Sequence, residues 1–260
     1  MEIVFIGVGE AFDQNLPNCS ALVLAEGGQG AKSILLDCGF TVPFALWRTM
    51  LKEPDLPGPL TLDAVWISHF HGDHFFGLPA LLLRFYEEGR TETLHLLGQE
   101  GMEKTVLAAM DLAYPGTRAK FAFSLEFHEI SPGAPLSLLG LSLSAAHSEH
   151  PRPNLSLRLE DANASIFYSG DGRPTDATLE LARDAHLIIH ESFSLEPDTA
   201  GHGTVPGSIE FARRAGVPEL ALVHIRRDVR AEHMQDIRQA MDQAQGLIVH
   251  LPEPGDRLRV

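Results

Sequence analysis

Apolar residues recur along the chain in two rhythms. Short apolar or alternating runs bounded by glycine and turn residues predict strands over 2–6, 19–25 and 33–36, joined as successive hairpins of one sheet. A helix suits 43–52, and the three prolines within 53–59 make a connector. A strand over 62–67 leads into a helix over 75–83. A strand over 94–98 and a helix over 100–113 follow, the helix closed by Tyr114-Pro115-Gly116. Residues 121–130, 136–145 and 155–160 alternate or run apolar and predict a second set of antiparallel strands. In the last third, strands over 165–168, 187–189 and 220–223 alternate with helices over 177–183, 208–215 and 232–245, with Ser208 as an N-cap. The class this implies is α/β.

The polar residues that interrupt this pattern gather at the ends of strands. After the strand at 62–67 comes Ser68-His69-Phe70-His71-Gly72-Asp73-His74, with three imidazoles and a carboxylate in a strand-to-helix loop. On a still-extended backbone His69 and His71 point to one side, Gly72 allows a sharp turn, and Asp73 and His74 face the space beyond. This spacing is a strong metal-binding signal. Asp171 follows the strand at 165–168, the pair His190-Glu191 follows 187–189, and His224 follows 220–223. Strand ends are where α/β proteins assemble ligand sites. Asp37, at the end of the third strand, is expected to make a local turn hydrogen bond beneath the loop. His95 and His128 lie within strands and read as ordinary sheet residues, and His186, His190, His233 and His250 as packing or surface residues.

Composition narrows the partners. With 260 residues, 44% of them hydrophobic, the chain is expected to form one compact domain over 1–260. No apolar run is long enough for a membrane helix, and Met1 runs directly into a strand, so an untargeted cytoplasmic protein is expected. Cys19 and Cys38 are the only cysteines and are expected to be buried as small apolar residues rather than bridged. A formal charge of −15, from 20 Lys and Arg against 35 Asp and Glu, disfavours long nucleic acid, whose binding needs a basic surface. A small anionic substrate remains compatible, since two divalent ions return about four positive charges to the site. Arg226, Arg227 and Arg230 follow His224 and are available either to such an anion or to solvent.

Taken together, His69-Phe70-His71-Gly72-Asp73-His74, a mid-chain histidine, Asp171 in Tyr168-Ser169-Gly170-Asp171, and His224 after a buried strand resemble the metallo-β-lactamase superfamily. Asp37-Cys38-Gly39, the run from His150 to Glu160, His190-Glu191 and His202-Gly203-Thr204 resemble its ribonuclease Z-like branch, which includes small phosphodiesterases. The resemblance implies an αββα sandwich of two packed mixed sheets flanked by helices, with two divalent metal ions at one edge. It assigns His69, His71 and His150 to the first metal, Asp73, His74 and His224 to the second, and Asp171 to both. For the mid-chain position both His147 and His150 are candidates. His150 is preferred because the Pro-Arg-Pro-Asn run that follows the family's ligand follows it without a gap. Imidazole and carboxylate donors suit Zn²⁺, with Mn²⁺ or Fe as tolerable occupants. The mechanism implied uses a hydroxide shared by the two metals as nucleophile. Asp73 would accept its proton or hydrogen bond, and His202, oriented by Glu191, would serve the leaving oxygen. Relatives of this kind are often dimers, so a homodimer is compatible with the resemblance.

The chain also departs from the family. About twenty residues separate His150 from Asp171, which leaves no room for the arm that transfer-RNA-processing members insert there. Gly172 and Leu157 stand where Thr and Tyr are usual. The expectation is therefore a dinuclear hydrolase of small phosphodiesters, with carboxylic ester, thioester, lactone or sulfate ester hydrolysis as the alternative on the same site. Transfer-RNA 3′ processing is disfavoured, and a non-catalytic metal-binding sensor is a minor reading. Di-iron redox chemistry is disfavoured because His71 occupies the position where a carboxylate is needed.

Overall fold

Residues 1–28 and 30–260 are described by the computed structural model. Among them, strands and helices stack in four layers: helices, sheet, sheet, helices. β1 (Glu2–Gly7), β2 (Ser20–Gly27) and β3 (Gly30–Leu36) form the expected antiparallel meander. α1 (Val42–Lys52) then crosses over so that β4 (Ala64–Ile67) adds parallel to β3. The helix expected over 75–83 is instead a single turn, α2 (Gly72–Phe75), followed after Phe76-Gly77 by α3 (Leu78–Glu87). β5 (Leu94–Gly98), α4 (Met102–Ala113) and β6 (Leu125–Glu129) continue the same sheet. β6 was expected with the second, antiparallel set; it pairs parallel to β5, and α4 supplies the crossover that parallel neighbours need.

The second sheet begins with β7 (Leu136–Leu138) and β8 (Leu141–His147). A continuous strand over 136–145 is not formed, because Leu139 and Gly140 both take positive φ, 56° and 80°, and fold the run into a hairpin. β9 (Leu155–Glu160) and β10 (Ser165–Tyr168) extend it antiparallel. After α5 (Asp176–Ala182) the strands turn parallel: β11 (Leu187–Glu191), α6 (Val205–Ala215), β12 (Glu219–Val223), α7 (Arg227–Glu232), α8 (Met234–Asp242) and β13 (Ile248–His250). β14 (Arg257–Arg259) returns to pair with β1. α6 starts earlier than expected: Thr204, not Ser208, caps it, Thr204 Oγ1 accepting from the Gly207 N–H at 3.0 Å with Pro206 in the first turn. The helix expected over 232–245 is the shorter α8, ending at Asp242, and α7 precedes it across His233 as a helix the sequence did not predict.

Alternation along the strands divides the core. Ile3, Phe5, Trp66 and Leu97 face Leu143, Leu157, Ile189 and Val223 between the sheets. Val4, Ile6, Val65 and Ile67 face Leu46, Leu81 and Phe85 of the helices outside the first sheet. Ile188 and Leu222 meet Ile209, Phe211 and Ile237 outside the second. Strands buried on both faces must be apolar at nearly every position, so polar residues are displaced to their ends. The ends of β3, β4, β8, β10, β11 and β12 carry the residues described below.

The loop after β3 is pressed against the loop after β4. Cys38 N–H donates to the His74 carbonyl at 2.8 Å and Gly77 N–H to the Cys38 carbonyl at 2.9 Å. This approach requires glycine: a Cβ on Gly77 would lie 2.0 Å from the Gly39 carbonyl oxygen, and one on Gly39 1.8 Å from that of Asp73. Gly77→Ala is expected to destabilise the protein by about 1–3 kcal/mol through forced displacement of packed backbone. Denaturant unfolding of the metal-free protein measures this, and an unchanged midpoint would show that the two loops do not need to touch.

Candidate metal centre

Asp37 anchors the site from beneath. It is fully buried and takes φ +58°, a left-handed conformation that Asp tolerates better than most residues. Its carboxylate accepts from the Ser68 N–H at 2.7 Å, the Ser68 hydroxyl at 2.8 Å and the Tyr168 hydroxyl at 2.7 Å, and lies 2.7 Å from His74 Nδ1. The expected local turn bond is thus replaced by contacts to the next strand's loop and to the second sheet. These contacts fix proton positions. Nδ1–H of His74 points at Asp37, which leaves Nε2 free. The Ser68 hydroxyl spends its proton on Asp37, so its oxygen accepts from His69 Nδ1 at 3.0 Å and again leaves Nε2 free.

The remaining donors arrive from the second sheet. His150, in the connection between β8 and β9, donates Nδ1–H to the Gly201 carbonyl at 2.8 Å and brings Nε2 to 3.2 Å from His71 Nδ1. His147 is directed elsewhere, to the Asn154 carbonyl, so the structure brings His150 and not His147 to the cluster. Asp171 sits between two glycines with positive φ, Gly170 at 60° and Gly172 at 112°. Gly170 is also hemmed in, because a Cβ there would be 2.4 Å from Asn154 Oδ1. His224, at φ +54°, donates its backbone N–H to the Val8 carbonyl, which ties the end of β12 to the end of β1.

Two donor sets result, and Asp171 belongs to both. His69, His71, His150 and Asp171 offer one ligand atom each within 4.8 Å of one another, as do Asp73, His74, Asp171 and His224. The Asp171 oxygens divide between them: Oδ2 lies 3.7 Å from His69 Nε2, while Oδ1 lies 3.2 Å from His74 Nε2 and 3.6 Å from His224 Nε2. Bonds of about 2.0–2.1 Å to a tetrahedral ion would set such donor atoms about 3.3 Å apart. Within the cluster, His69 Nε2, His74 Nε2 and Asp171 Oδ1 are buried without a hydrogen-bond partner. Buried polar atoms normally find partners, so this concentration of unpartnered atoms fits a pair of cations. Seven residues could therefore hold two metals.

The sets differ electrostatically. Burial holds His69 and His71 below the usual imidazole range, reinforced by neighbouring His74 and His150 respectively. Burial opposes charge on His74 and His224 too, yet Asp171 and the other nearby carboxylates outweigh it, lifting His74 well above the usual range and His224 to about 9. Asp171 and Asp73 are depressed despite burial by those same histidines.

His202 lies beside the second set. Its ring stacks on Phe193 at 4.4 Å between centroids and runs nearly parallel to His224 at 5.9 Å. Its Nδ1 is 3.3 Å from Glu191 Oε1 but lacks hydrogen-bonding geometry, and Glu191 chiefly accepts from the backbone N–H groups of Gly172, Phe193 and Gly203. Arg173 clamps the same loop, donating to the carbonyls of His202 and Thr199 at 3.0 Å each. Arg173, Phe193 and Asn154 were not legible as site residues, because their partners lie far along the chain. Arg226 stacks over Phe193 and pairs with Asp198 and Asp228, while Arg227 pairs with Glu10. No described helix is long and apolar enough to cross a membrane, and Cys19 and Cys38 are buried free thiols.

Two outcomes follow for metal binding. Asp37→Asn is expected to weaken affinity by about 10–100-fold, since it removes the acceptor that orients His74; isothermal titration of the metal-free protein checks this. Filling the second set displaces protons from His74 and His224, whereas His69 and His71 are already neutral at pH 7. Affinity at the second set should therefore fall more steeply than at the first as pH falls from 8 to 6, by about tenfold per pH unit for each proton displaced, with the His69 and His74 imidazole resonances reporting which set is filled. Equal pH slopes for the two sets would contradict this assignment.

Comparison with known proteins agrees with this architecture. A ribonuclease Z from Methanosarcina mazei is 26% identical, the match covering 86% of this chain and 87% of the relative. The metallo-β-lactamase fold protein YhfI from Bacillus subtilis superposes with a TM-score of 0.79 at 21% identity, covering 99% of this chain and 98% of that one. The short form of human tRNase Z gives 0.77 at 22% identity over 100% and 99%. A diphosphatase of the PhnP family gives 0.72 at 18% over 100% and 97%. At these identities the superpositions establish the fold. The family described as Anti-Pycsar protein Apyc1 matches residues 1–208, most of the chain. This protein belongs to that Apyc1 family, within the ribonuclease Z-like branch of the metallo-β-lactamase superfamily.

Proposed function

We propose that this protein is a dinuclear metal-dependent hydrolase of small phosphodiesters, such as cyclic nucleotides or aryl phosphodiesters. The observation that carries this reading is the division of the two Asp171 oxygens between two donor sets. Two adjacent cations match the two non-bridging oxygens of a phosphodiester, a use that a carbon ester with one carbonyl oxygen does not have. When bound, the ions supply positive charge and acidify water to near neutrality, which Zn²⁺ does well and Mn²⁺ or Fe also permit. The chain's own residues do the rest. Asp73 Oδ2, held between His74 and His224 at 3.4 and 3.3 Å, accepts a proton or hydrogen bond from the attacking water. His202, at the open side, donates to the leaving oxygen. Glu191 and Arg173 hold the loop that carries it, and Phe193 fixes the ring plane.

What surrounds the site supports a small substrate. The chain passes from β8 to β9 through residues 148–154 and from β9 to β10 through a turn at 161–164 closed by Asp161, with no arm between them. Together with the net charge of −15, this favours a small anion over a folded RNA, although relatives bear ribonuclease names.

The metal-loaded protein is expected to hydrolyse bis-aryl phosphate and cyclic mononucleotides. His69→Ala and Asp73→Ala should abolish turnover, and His202→Ala should lower kcat by about 10²–10⁴-fold with little change in KM. Turnover of esters, thioesters, lactones or sulfate esters with phosphodiesters inert would replace this reading with the alternative chemistry.

A further inference from the structure

A third convergence of metal-type donors lies on the first sheet, away from the paired sets. β5 and β6 run parallel with His95 opposite Glu126 and Leu97 opposite His128. Residues two apart on a strand share a face, so His95, Glu126 and His128 project together, on the side where Leu97 joins the core between the sheets. β6 is the last strand of its sheet, and here that face is partly open to solvent: the side chains of His95, Glu126 and His128 are 15%, 55% and 21% exposed. The two strand histidines that read as ordinary sheet residues therefore stand side by side with a carboxylate.

Their geometry is that of donors around a common point. His95 Nδ1 is 3.0 Å from His128 Nε2 and 3.3 Å from Glu126 Oε2, and the third side of the triangle, His128 Nε2 to Glu126 Oε2, is 4.0 Å. A tetrahedral ion with bonds of about 2.0–2.2 Å sets its donors about 3.3–3.5 Å apart, close to this triangle. A single imidazole–imidazole hydrogen bond accounts for one side of it and gives no reason for the carboxylate to face both rings. His95 pairs in register with Ala64, five residues before His69 on an extended strand, so the cluster lies about 15 Å from the paired sets and shares no ligand with them.

We propose that His95, Glu126 and His128 form a separate site for one divalent transition-metal ion, with zinc the best match. Two imidazoles and one carboxylate favour zinc-type ions over Mg²⁺ or Ca²⁺, which prefer all-oxygen shells. The three protein donors leave a fourth position facing solvent, for water or for an exogenous ligand. An ion here links the edge strand to its neighbour through side chains as well as backbone, at the strand otherwise free to pair with another chain.

The site is tested independently of hydrolysis by counting metal. Metal-stripped protein is dialysed against Zn²⁺ and analysed by mass spectrometry of the metal, for the wild type and for His95→Asn and His128→Asn separately, with circular dichroism to verify each fold. Three ions per chain in the wild type and the loss of one in each variant are expected. Two ions in the wild type, or a third that persists in both variants, overturns the proposal. A further measurement needs no substitution: the imidazole resonances of His95 and His128 in the wild type should shift as the third equivalent is added, and unshifted resonances overturn the assignment. Bis-aryl phosphate turnover in the variants should stay at the wild-type level.

Discussion

The structure depends on the burial of one carboxylate. Asp37 has no access to solvent, so its charge is tolerable only if each lone pair finds a donor, and the protein supplies them from two sheets. Ser68 and His74 belong to the loop after β4, and Tyr168 to β10 of the opposite sheet. Satisfying Asp37 therefore fixes the distance between the sheets at the level of the site and the ring orientation of two histidines. It also explains why glycines 39 and 77 are needed, since any side chain there would lift the Asp37 turn away from its donors. A buried charge of this kind is a costly way to stabilise a fold and an effective way to select one geometry.

Much of this was legible in the sequence, and the boundary of what was legible has a physical meaning. The cluster from His69 to His74 announces itself because its residues are adjacent, and Asp171 and His224 because each ends a short apolar run. The preference for His150 over His147 came from the run of residues that follows it; the structure shows both pointing to backbone carbonyls, with only His150 presenting its other nitrogen to His71. Asp37 looked like a turn residue because its donors are 31, 37 and 131 positions away. Sheet membership failed for the same reason: nothing within 121–130 records that its partner is β5. Local breaks were missed where backbone conformation overrode composition, as at Leu139, an apolar residue in a left-handed turn that no propensity would place there.

The two halves of the site are electrostatically unlike. His69 and His71 are kept neutral by burial, while His74 and His224 share a strongly negative corner with Asp73 and Asp171. This asymmetry places Asp73 and Asp171 together at the second donor set, next to the His202 loop held by Arg173 and Glu191. The net charge of −15 is thus compatible with a local concentration of carboxylates and imidazoles suited to cations.

The seven converging residues are contributed by two sheets: four by the loop after β4 and three by the ends of strands in the opposite layer. Neither layer alone can complete either donor set, because Asp171 serves both and comes from the second. Retention of metal is consequently a report on tertiary assembly. A chain in which the layers had parted could complete neither donor set, so metal content would distinguish finished molecules from unfinished ones.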